Sequence, residues 1–289
     1  MKIAVFGNQC QDHRADDIRL LFAAMRSSGA YIEVERGFLD YVHGLIPDVA
    51  VDKAVGAGET SADVVVSIGG DGTFLRAAAW VGSREIPILG VNTGHLGYLS
   101  DVAVADAPQF IAGLADGNFR IERRSLIEVE TNAGVALANR FALNEVAILK
   151  NASSSMLAMD TAVDGSMLNT YLGDGLIMAT PTGSTAYNLS VGGPILHPAC
   201  NCFVLSPIAA HSLTMRPLVL PDGVEVDVTT RSERSHTFRI SIDGESLSLP
   251  IGSTIRMRKA DFSVNVMLRA DHDFSGALRN KLMWGADVR

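Results

Sequence analysis

A glycine-rich turn that carries a single carboxylate constrains the fold of this chain more than any other feature. The turn, residues 67–73 (SIGGDGT), follows the apolar run 63–66, and Thr73 can open the next run, 74–81, as a helix. The first N–H groups of that helix would point back at the turn and favour negative charge. The stretch predicts a strand, turn and helix that form a phosphoryl-transfer site. The alternative is a tight turn whose Asp71 only caps the helix.

The first hundred residues alternate between strand and helix patterns. Residues 2–6 read as a strand, and a helix that ends at Gly29 follows it. One face of this helix is apolar and consists of Ile18, Leu21, Phe22 and Met25. Further strands are predicted at 31–35, 64–68 and 86–91, with helices between them. This rhythm predicts a Rossmann-like, doubly wound α/β domain over residues 1–118. Ligands of such sheets bind at the carboxyl ends of the strands, where the Asp71 turn falls.

Beyond residue 119 the pattern changes to short runs of alternating polar and apolar residues, such as 125–131, 224–229 and 237–242. Turn signals divide these runs into pieces of hairpin size: Asn132-Ala133-Gly134, Asp164-Gly165, Asp222-Gly223 and Asp243-Gly244. We therefore predict an all-β sandwich as the C-terminal domain, over residues 119–269.

Composition excludes several classes of protein. The chain has 289 residues, of which 47% are hydrophobic, enough for two moderate cores. Its net charge of -8 argues against a nucleic-acid groove and a polybasic membrane patch. No apolar run approaches the roughly 18 residues that span a bilayer. We expect small soluble ligands, no nucleic acid and no membrane.

The cysteines indicate a reducing compartment. There are three of them, and the first residues read as a strand rather than as a signal peptide, so we predict a cytoplasmic protein. Cys200 and Cys202 lie between His197 and His211, but the spacing favours small buried side chains over a zinc site. We expect no metal site built by the protein alone.

Two common nucleotide motifs are absent from the sequence. No G-x-x-x-x-G-K-[ST] loop occurs, and the nearest approach to G-x-G-x-x-G, residues 92–97, begins with Asn92 instead of glycine. A hydride-transfer enzyme of the usual Rossmann kind is therefore disfavoured.

Two further clusters place polar residues where a sandwich does not need them. Asn144 and Glu145 stand at the start of an apolar strand, where a bend can turn both toward one ligand, although a solvated strand end is the alternative. Residues 171–190 combine glycines, hydroxyls, an acid and an aromatic ring. Tyr187 offers a flat face for a base, and Asp174 and Ser190 offer hydrogen-bond partners. A polar turn with a core tyrosine is the alternative here.

Taken in order, these motifs resemble the NAD kinase family over most of the chain. The resemblance rests on residues 69–73 (GGDGT), 90–99 (GVNTGHLGYL), 143–145 (LNE), 173–175 (GDG) with 184–187 (STAY), 192–194 (GGP) and 211–219 (HSLTMRPLV). A lone glycine-rich acidic turn is also similar to lipid kinases and phosphofructokinases, whereas the ordered set is specific.

The resemblance implies that the γ-phosphate of ATP passes to the 2′-hydroxyl of the adenosine ribose of NAD, giving NADP. A divalent metal cation, Mg²⁺, would be carried with ATP. Asp71 matches the family's general base, Gly72 gives a close backbone approach, and Arg76 is placed to meet phosphate. Further phosphate contacts are expected from Gly69, Gly70 and Thr73.

The same matching makes the C-terminal domain the NAD-binding domain. Asn144 and Glu145 would hold the ribose and adenine of NAD, with Asp174 near the nicotinamide carboxamide. The remaining residues of the dinucleotide pocket would be Thr185, Ala186, Tyr187, Asn188, Leu189 and Ser190.

The resemblance also covers the end of the chain and the assembly. It implies that residues 270–289 pack back on the first domain, and we expect Trp284 there as a core anchor. It implies a homo-oligomer, a dimer or tetramer. Two rival functions are a lipid or sugar kinase built on the same turn and a catalytically silent dinucleotide sensor.

Overall fold

The computed structural model describes residues 1–94, 97–151 and 156–285. It divides the chain into two compact units. Unit 1 consists of Met1–Arg123 and Val264–Arg289, and unit 2 of Arg124–Ser263.

Unit 1 is built on a parallel sheet. Its strands are β1 (Lys2–Gly7), β2 (Tyr31–Glu35), β3 (Lys53–Val55), β4 (Val64–Ile68), β5 (Ile88–Asn92) and β6 (Val102–Ala103). They follow the order β3-β2-β1-β4-β5-β6, and every pair is parallel. The helices are α1 (Ala15–Ser27), α2 (Arg36–Leu45), α3 (Asp71–Val81), α4 (Ala107–Ala112) and, near the end of the chain, α6 (Phe274–Leu282). The predicted α/β class is therefore confirmed.

Burial in unit 1 follows from the residue types. All five residues of β4 and all five of β5 are buried, as expected for central strands of a parallel sheet that is covered on both faces. Helix α1 buries the four apolar residues predicted for its inner face, Ile18, Leu21, Phe22 and Met25.

Unit 2 is built from antiparallel strands. They are β7 (Phe119–Thr131), β8 (Phe141–Ala142), β9 (Glu145–Lys150), β10 (Leu157–Val163), β11 (Ser166–Gly173), β12 (Gly175–Ala179), β13 (Cys202–Ile208), β14 (Leu218–Pro221), β15 (Val226–Arg231), β16 (Thr237–Ile242), β17 (Glu245–Pro250) and β18 (Thr254–Arg269). Strand β7 begins in unit 1, and β18 ends there, where its Val266 and Met267 pair with β5.

The strands of unit 2 form two sheets that enclose one core. One sheet has the order β11-β10-β15-β18, and the other has the order β14-β13-β12-β9-β16-β17. Fully buried side chains from both sheets, among them Met159, Ile255, Phe203 and Phe238, belong to one apolar cluster. The predicted β-sandwich is therefore confirmed, with the one-turn helix α5 (Tyr187–Ser190) as an addition.

The outer face of the second sheet carries the segment that follows β12. Ala147 and Ala179 on this face are small, and Val191 and Leu196 pack against the cluster to which they belong. Because the alanines leave room above the strands, the segment lies close to the sheet and to the start of β9.

Two sequence predictions about single residues are wrong. Trp284 is 60% exposed and is not a core anchor, because it follows the end of α6 rather than facing inward from the helix. Cys200 is also exposed, since it lies in the loop before β13, and Cys202 is only partly buried. In the described part of the chain, no helix is both long and apolar enough to span a membrane.

Candidate active site

Asp71 is the first residue of helix α3, and only Gly69 and Gly70 separate it from the carboxyl end of β4. The helix begins earlier than the sequence suggested, because the N–H groups of Thr73 and Phe74 both bond the Gly70 carbonyl oxygen, at 2.9 and 3.1 Å. The Asp71 side chain therefore stands in the first helical turn, where the helix dipole favours negative charge.

The Asp71 carboxylate is held by the loop that follows β5. Its Oδ2 accepts the Tyr98 backbone N–H at 2.7 Å, and its Oδ1 accepts those of Leu99 and Ser100, each at 3.1 Å. A carboxylate has about four acceptor positions. The three bonds fix the orientation of the carboxylate and leave about one position for another donor.

Two glycines let this loop approach so closely. A Cβ at Gly97 would lie 2.0 Å from Asp71 Oδ1, and one at Gly90, in β5, would lie 2.6 Å from the Leu99 carbonyl oxygen. Any larger residue would push the loop away from the strand or from the carboxylate. The sequence places both glycines in the 90–99 motif, whose His95 and Leu96 lie outside the described residues.

The glycines of the turn itself fall into two kinds. Gly69 has a φ of +151°, and a Cβ there would meet Thr73 Oγ1 at 2.4 Å, so the protein itself requires glycine. Gly70 and Gly72 are exposed, and a Cβ on either would meet no atom within 4 Å. Their missing side chains leave open backbone at the helix start. Arg76, on the next turn of α3, is also exposed.

In unit 2, the structure brings together the two polar clusters of the sequence. Asn144 lies just before β9, and its carbonyl oxygen accepts the Thr180 N–H at 2.9 Å. Thr180 Oγ1 donates to the Leu143 carbonyl oxygen at 2.5 Å and accepts the Gly183 N–H at 3.1 Å. A Cβ at Gly183 would lie 2.0 Å from the Asn144 oxygen, so this contact requires glycine.

Asp243 clamps the same segment from the other side. Its carboxylate accepts the backbone N–H groups of Leu143, Asn144 and Glu145 at 2.7, 2.8 and 3.1 Å. Burial raises the pKa of Asp243 to about 6, against the lowering effect of these three bonds. The sequence showed Asp243 only as part of an Asp-Gly turn, and its position 98 residues after Glu145 gave no sign of this contact.

Glu145 is a carboxylate with few partners. It is partly buried at the start of β9, and its Oε2 is buried without a hydrogen-bond partner among the described residues. Burial and the negative charge of Asp243 raise its pKa to about 7, although the Tyr187 backbone N–H lowers it. The fully solvated strand end considered above does not describe this residue.

The segment 183–190 divides into supporting and accessible residues. Asn188 is fully buried: its Nδ2 donates to the carbonyl oxygens of Ser184 and Pro194, and its Oδ1 accepts the Ser206 hydroxyl. Tyr187 is 39% exposed and is not the core tyrosine of the alternative interpretation. Around it, Ser190 is exposed, and three residues are partly buried: Thr185, Ala186 and Leu189.

Asp174 lies at the opposite end of the paired strands β9 and β12. Glu145 pairs with Ala179, five residues further along, which is roughly 17 Å at about 3.4 Å per residue. The Asp174 side chain is partly exposed, and its Oδ1 lies 2.7 Å from Lys150 Nζ. The structure therefore separates Asp174 from the Asn144–Glu145 end, and Lys150 is a cation that the sequence analysis missed.

Within residues 1–94, 97–151 and 156–285, no group of three His, Cys, Asp or Glu side chains is arranged to hold a metal ion.

The chain is similar to known proteins of one family. Family models described as the ATP-NAD kinase N-terminal and C-terminal domains match residues 48–119 and 143–268. The chain is 43% identical to an NAD kinase of Bacteroides fragilis, with 100% of both chains covered. It is 42% identical to an NAD kinase of Porphyromonas gingivalis, with 100% of this chain and 99% of the relative covered.

Solved structures of similar fold include a yeast NADH kinase complexed with NADH, with a TM-score of 0.89 and 20% identity, which covers 100% of this chain and 89% of that one. Another is an NAD kinase from Archaeoglobus fulgidus in complex with ATP, with a TM-score of 0.72 and 24% identity, covering 99% and 98%. At identities of 20% and 24%, these similarities establish a shared fold.

Proposed function

The chain belongs to the NAD kinase family and uses ATP to phosphorylate NAD, and we propose that Asp71 is the general base for transfer to the 2′-hydroxyl of the adenosine ribose. The observation that carries this proposal is the carboxylate at the start of α3, oriented by three backbone N–H groups beside open glycine backbone.

The acceptor position that remains on Asp71 suits a ribose hydroxyl. The carboxylate would accept the hydroxyl proton as the oxygen attacks the γ-phosphorus, the bond from that phosphorus to the β-γ bridging oxygen breaks, and ADP leaves. In phosphoryl transfer, positioning and charge neutralisation supply most of the catalysis. The fixed orientation of Asp71 is therefore as important as its basicity.

The phosphates would approach the open turn. Gly70 and Gly72 expose backbone at the helix N-terminus, where N–H groups and the helix dipole favour anions. Arg76 is exposed one turn on and would add a positive charge. Gly69 and Thr73 would act mainly by holding the turn, because Thr73 is buried against Gly69.

For NAD itself we propose the polar face of unit 2. Asn144 and Glu145 would hold the ribose and adenine, with the Tyr187 ring available to stack on a base. Asp174, roughly 17 Å along the strands, would meet the nicotinamide carboxamide, a span that an extended dinucleotide can bridge. Thr185, Ala186, Leu189 and Ser190 would line the pocket, whereas Asn188 would support the turn from beneath.

We propose that a divalent metal cation reaches this site together with ATP. Mg²⁺ is usually bound through one or two carboxylates and the substrate phosphates, and the described residues form no cage of their own. When bound, the metal neutralises charge on the transferring phosphate. We propose Mg²⁺ for this role, a homo-oligomer as the active assembly, and the cytoplasm, where ATP and NAD are available, as its location.

The role of Asp71 is tested by the variant Asp71→Asn. We expect kcat for NAD phosphorylation to fall on the order of a hundredfold or more, with NAD binding within about threefold of the parent, because the base is lost while unit 2 is untouched. Asp16→Asn is the matched control, since its side chain is 93% exposed on α1. A kcat near the parental value in Asp71→Asn would remove the base from the mechanism.

The molecule that accepts the phosphate distinguishes NAD phosphorylation from the two rival functions. A lipid or sugar kinase built on the same turn has no need of Tyr187 or Asn144, so Tyr187→Ala and Asn144→Ala would leave its activity unchanged. A silent sensor would bind NAD without turnover. We expect instead that both variants raise KM for NAD, measured in steady-state assays with saturating ATP.

A further inference from the structure

The C-terminal helix α6 buries a lysine against the loop that holds Asp71. The side chain of Lys281 is only 5% exposed, although it lies in the last turn of the helix. Its ammonium donates to the Gly97 carbonyl oxygen, lies 3.6 Å from Asp101 Oδ1, and stands 5.4 Å from the centre of the Tyr98 ring. Lysine is almost never buried unless it is paired, and all three contacts fall on residues 97–101.

The same short loop supplies the three backbone N–H groups, of Tyr98, Leu99 and Ser100, that bind the Asp71 carboxylate. Gly97 is the residue that lies directly against Asp71 Oδ1, and its carbonyl oxygen is the one that Lys281 binds. We propose that Lys281 is a positioning residue for Asp71: it fixes the loop whose N–H groups orient the catalytic carboxylate. This inference rests on the function proposed for Asp71.

The charges around Lys281 explain how its ammonium is tolerated in a buried place. Asp101 is 13% exposed, and its Oδ2 lies 2.7 Å from His272 Nδ1. Burial alone would raise the pKa of Asp101, but the hydrogen bond from His272 and the charges of His272 and Lys281 lower it below its usual range. Asp101 is therefore ionised at neutral pH, and it balances Lys281 while anchoring the far end of the loop.

A purely structural role would be the alternative, since removing any buried ion pair can destabilise a fold. The two roles differ in how they combine with Asp71. If Lys281 acts through the orientation of Asp71, removing Lys281 does not lower kcat further in a variant that already lacks the Asp71 carboxylate. If it supports the fold in general, its loss lowers the rate by the same factor whether or not Asp71 is present.

The test is a double-mutant cycle with Lys281→Met and Asp71→Asn. We expect Lys281→Met to lower kcat about tenfold or more, because a misplacement of about 1 Å at a catalytic group can cost on the order of a hundredfold, with KM for ATP within about twofold. In the Asp71→Asn background the same change should lower kcat less than twofold. Arg279→Met is the control on the same helix, because Arg279 is 62% exposed and its hydrogen bond to Asp273 lies at the helix start rather than on the 97–101 loop.

The proposal is overturned if Lys281→Met lowers kcat by the same factor in the parent and in Asp71→Asn. It is also overturned if Lys281→Met alone leaves kcat unchanged. If Asp71→Asn itself keeps the parental kcat, the function proposed for Asp71 fails first, and the inference falls with it. Should Lys281→Met not fold, as judged by circular dichroism, Asp101→Asn takes its place in the cycle, since it keeps the lysine and removes the carboxylate that anchors it. The fold-decrease in kcat on Asp101→Asn is then compared between the parent and Asp71→Asn in the same way.

Discussion

At the scale of single residues, the two carboxylates at the centre of this account differ in their surroundings. Asp71 is bound by three N–H groups and is held in one orientation. Glu145 has a buried oxygen without a partner among the described residues, and burial with the charge of Asp243 raises its pKa to about 7. Glu145 therefore changes charge close to neutral pH, which gives the proposed NAD site a measurable signature.

NAD binding is expected to tighten as pH rises. In the proposed site, the ionised form of Glu145 would accept hydrogen bonds from the ribose hydroxyls or the adenine amino group. For a pKa near 7, this form grows from about a tenth at pH 6 to about nine tenths at pH 8. The dissociation constant of NAD, measured by calorimetry, should therefore fall by up to about tenfold over this range.

The control for that measurement is Glu145→Gln, which cannot ionise and should bind NAD with little pH dependence. Asp243, whose pKa is raised to about 6 by burial, is the neighbouring group that also titrates. The same pH dependence in the parent and in Glu145→Gln would show that another group controls binding.

At the scale of elements, the start of β9 is held from two sides. The turn after β12 binds it through Thr180 and approaches it closely at Gly183, and the turn after β16 binds it through Asp243. Two backbone segments distant in sequence thus fix Asn144 and Glu145.

The close approach at Gly183 can be tested by one added methyl group. In Gly183→Ala the new Cβ would lie 2.0 Å from the Asn144 carbonyl oxygen, so one of the two segments must move. We expect the variant to be less stable by about 1–3 kcal/mol in denaturant unfolding and to raise KM for NAD. Gly223→Ala is the control, because a Cβ there meets no atom within 4 Å and its φ is not positive. If the two variants have the same free energy of unfolding and the same KM for NAD, the close contact at Gly183 supports neither the fold nor the NAD site.

The elements also show what could be predicted from the sequence. The β4 strand, the Asp71 turn and the start of α3 are encoded in one contiguous stretch, and the buried face of α1 follows from its spacing. The partners of Asp71 and of Asn144 were not predicted. Tyr98, Leu99 and Ser100 meet Asp71 across 27 to 29 residues, and Asp243 meets Asn144 across 99. Such contacts depend on sheet pairing and on glycine contacts, which no local pattern encodes.

At the scale of the whole molecule, each unit builds its own core and presents its own set of polar groups. Unit 1 offers an oriented carboxylate with open glycine backbone, as phosphoryl transfer requires. Unit 2 offers an amide, a carboxylate and a tyrosine ring on a sandwich that does not need them for its core. Near residue 119 the apolar residues change from the helical period of 3.6 to the strand period of 2, and this change predicted the two fold classes from the sequence. Trp284, by contrast, shows that an apolar residue near a terminus need not be buried.

The identity of the product shows most directly whether this chain phosphorylates the 2′-hydroxyl of NAD with Asp71 as the base. The purified chain is incubated with ATP, Mg²⁺ and NAD, and the product is analysed by ³¹P NMR and by an NADP-specific dehydrogenase, with Asp71→Asn in parallel. We expect a single new phosphate on the 2′-hydroxyl of the adenosine ribose, in a product that the dehydrogenase uses. We expect on the order of a hundredfold less of this product from the variant. A phosphate on another hydroxyl, or an equal rate from Asp71→Asn, would contradict this proposal.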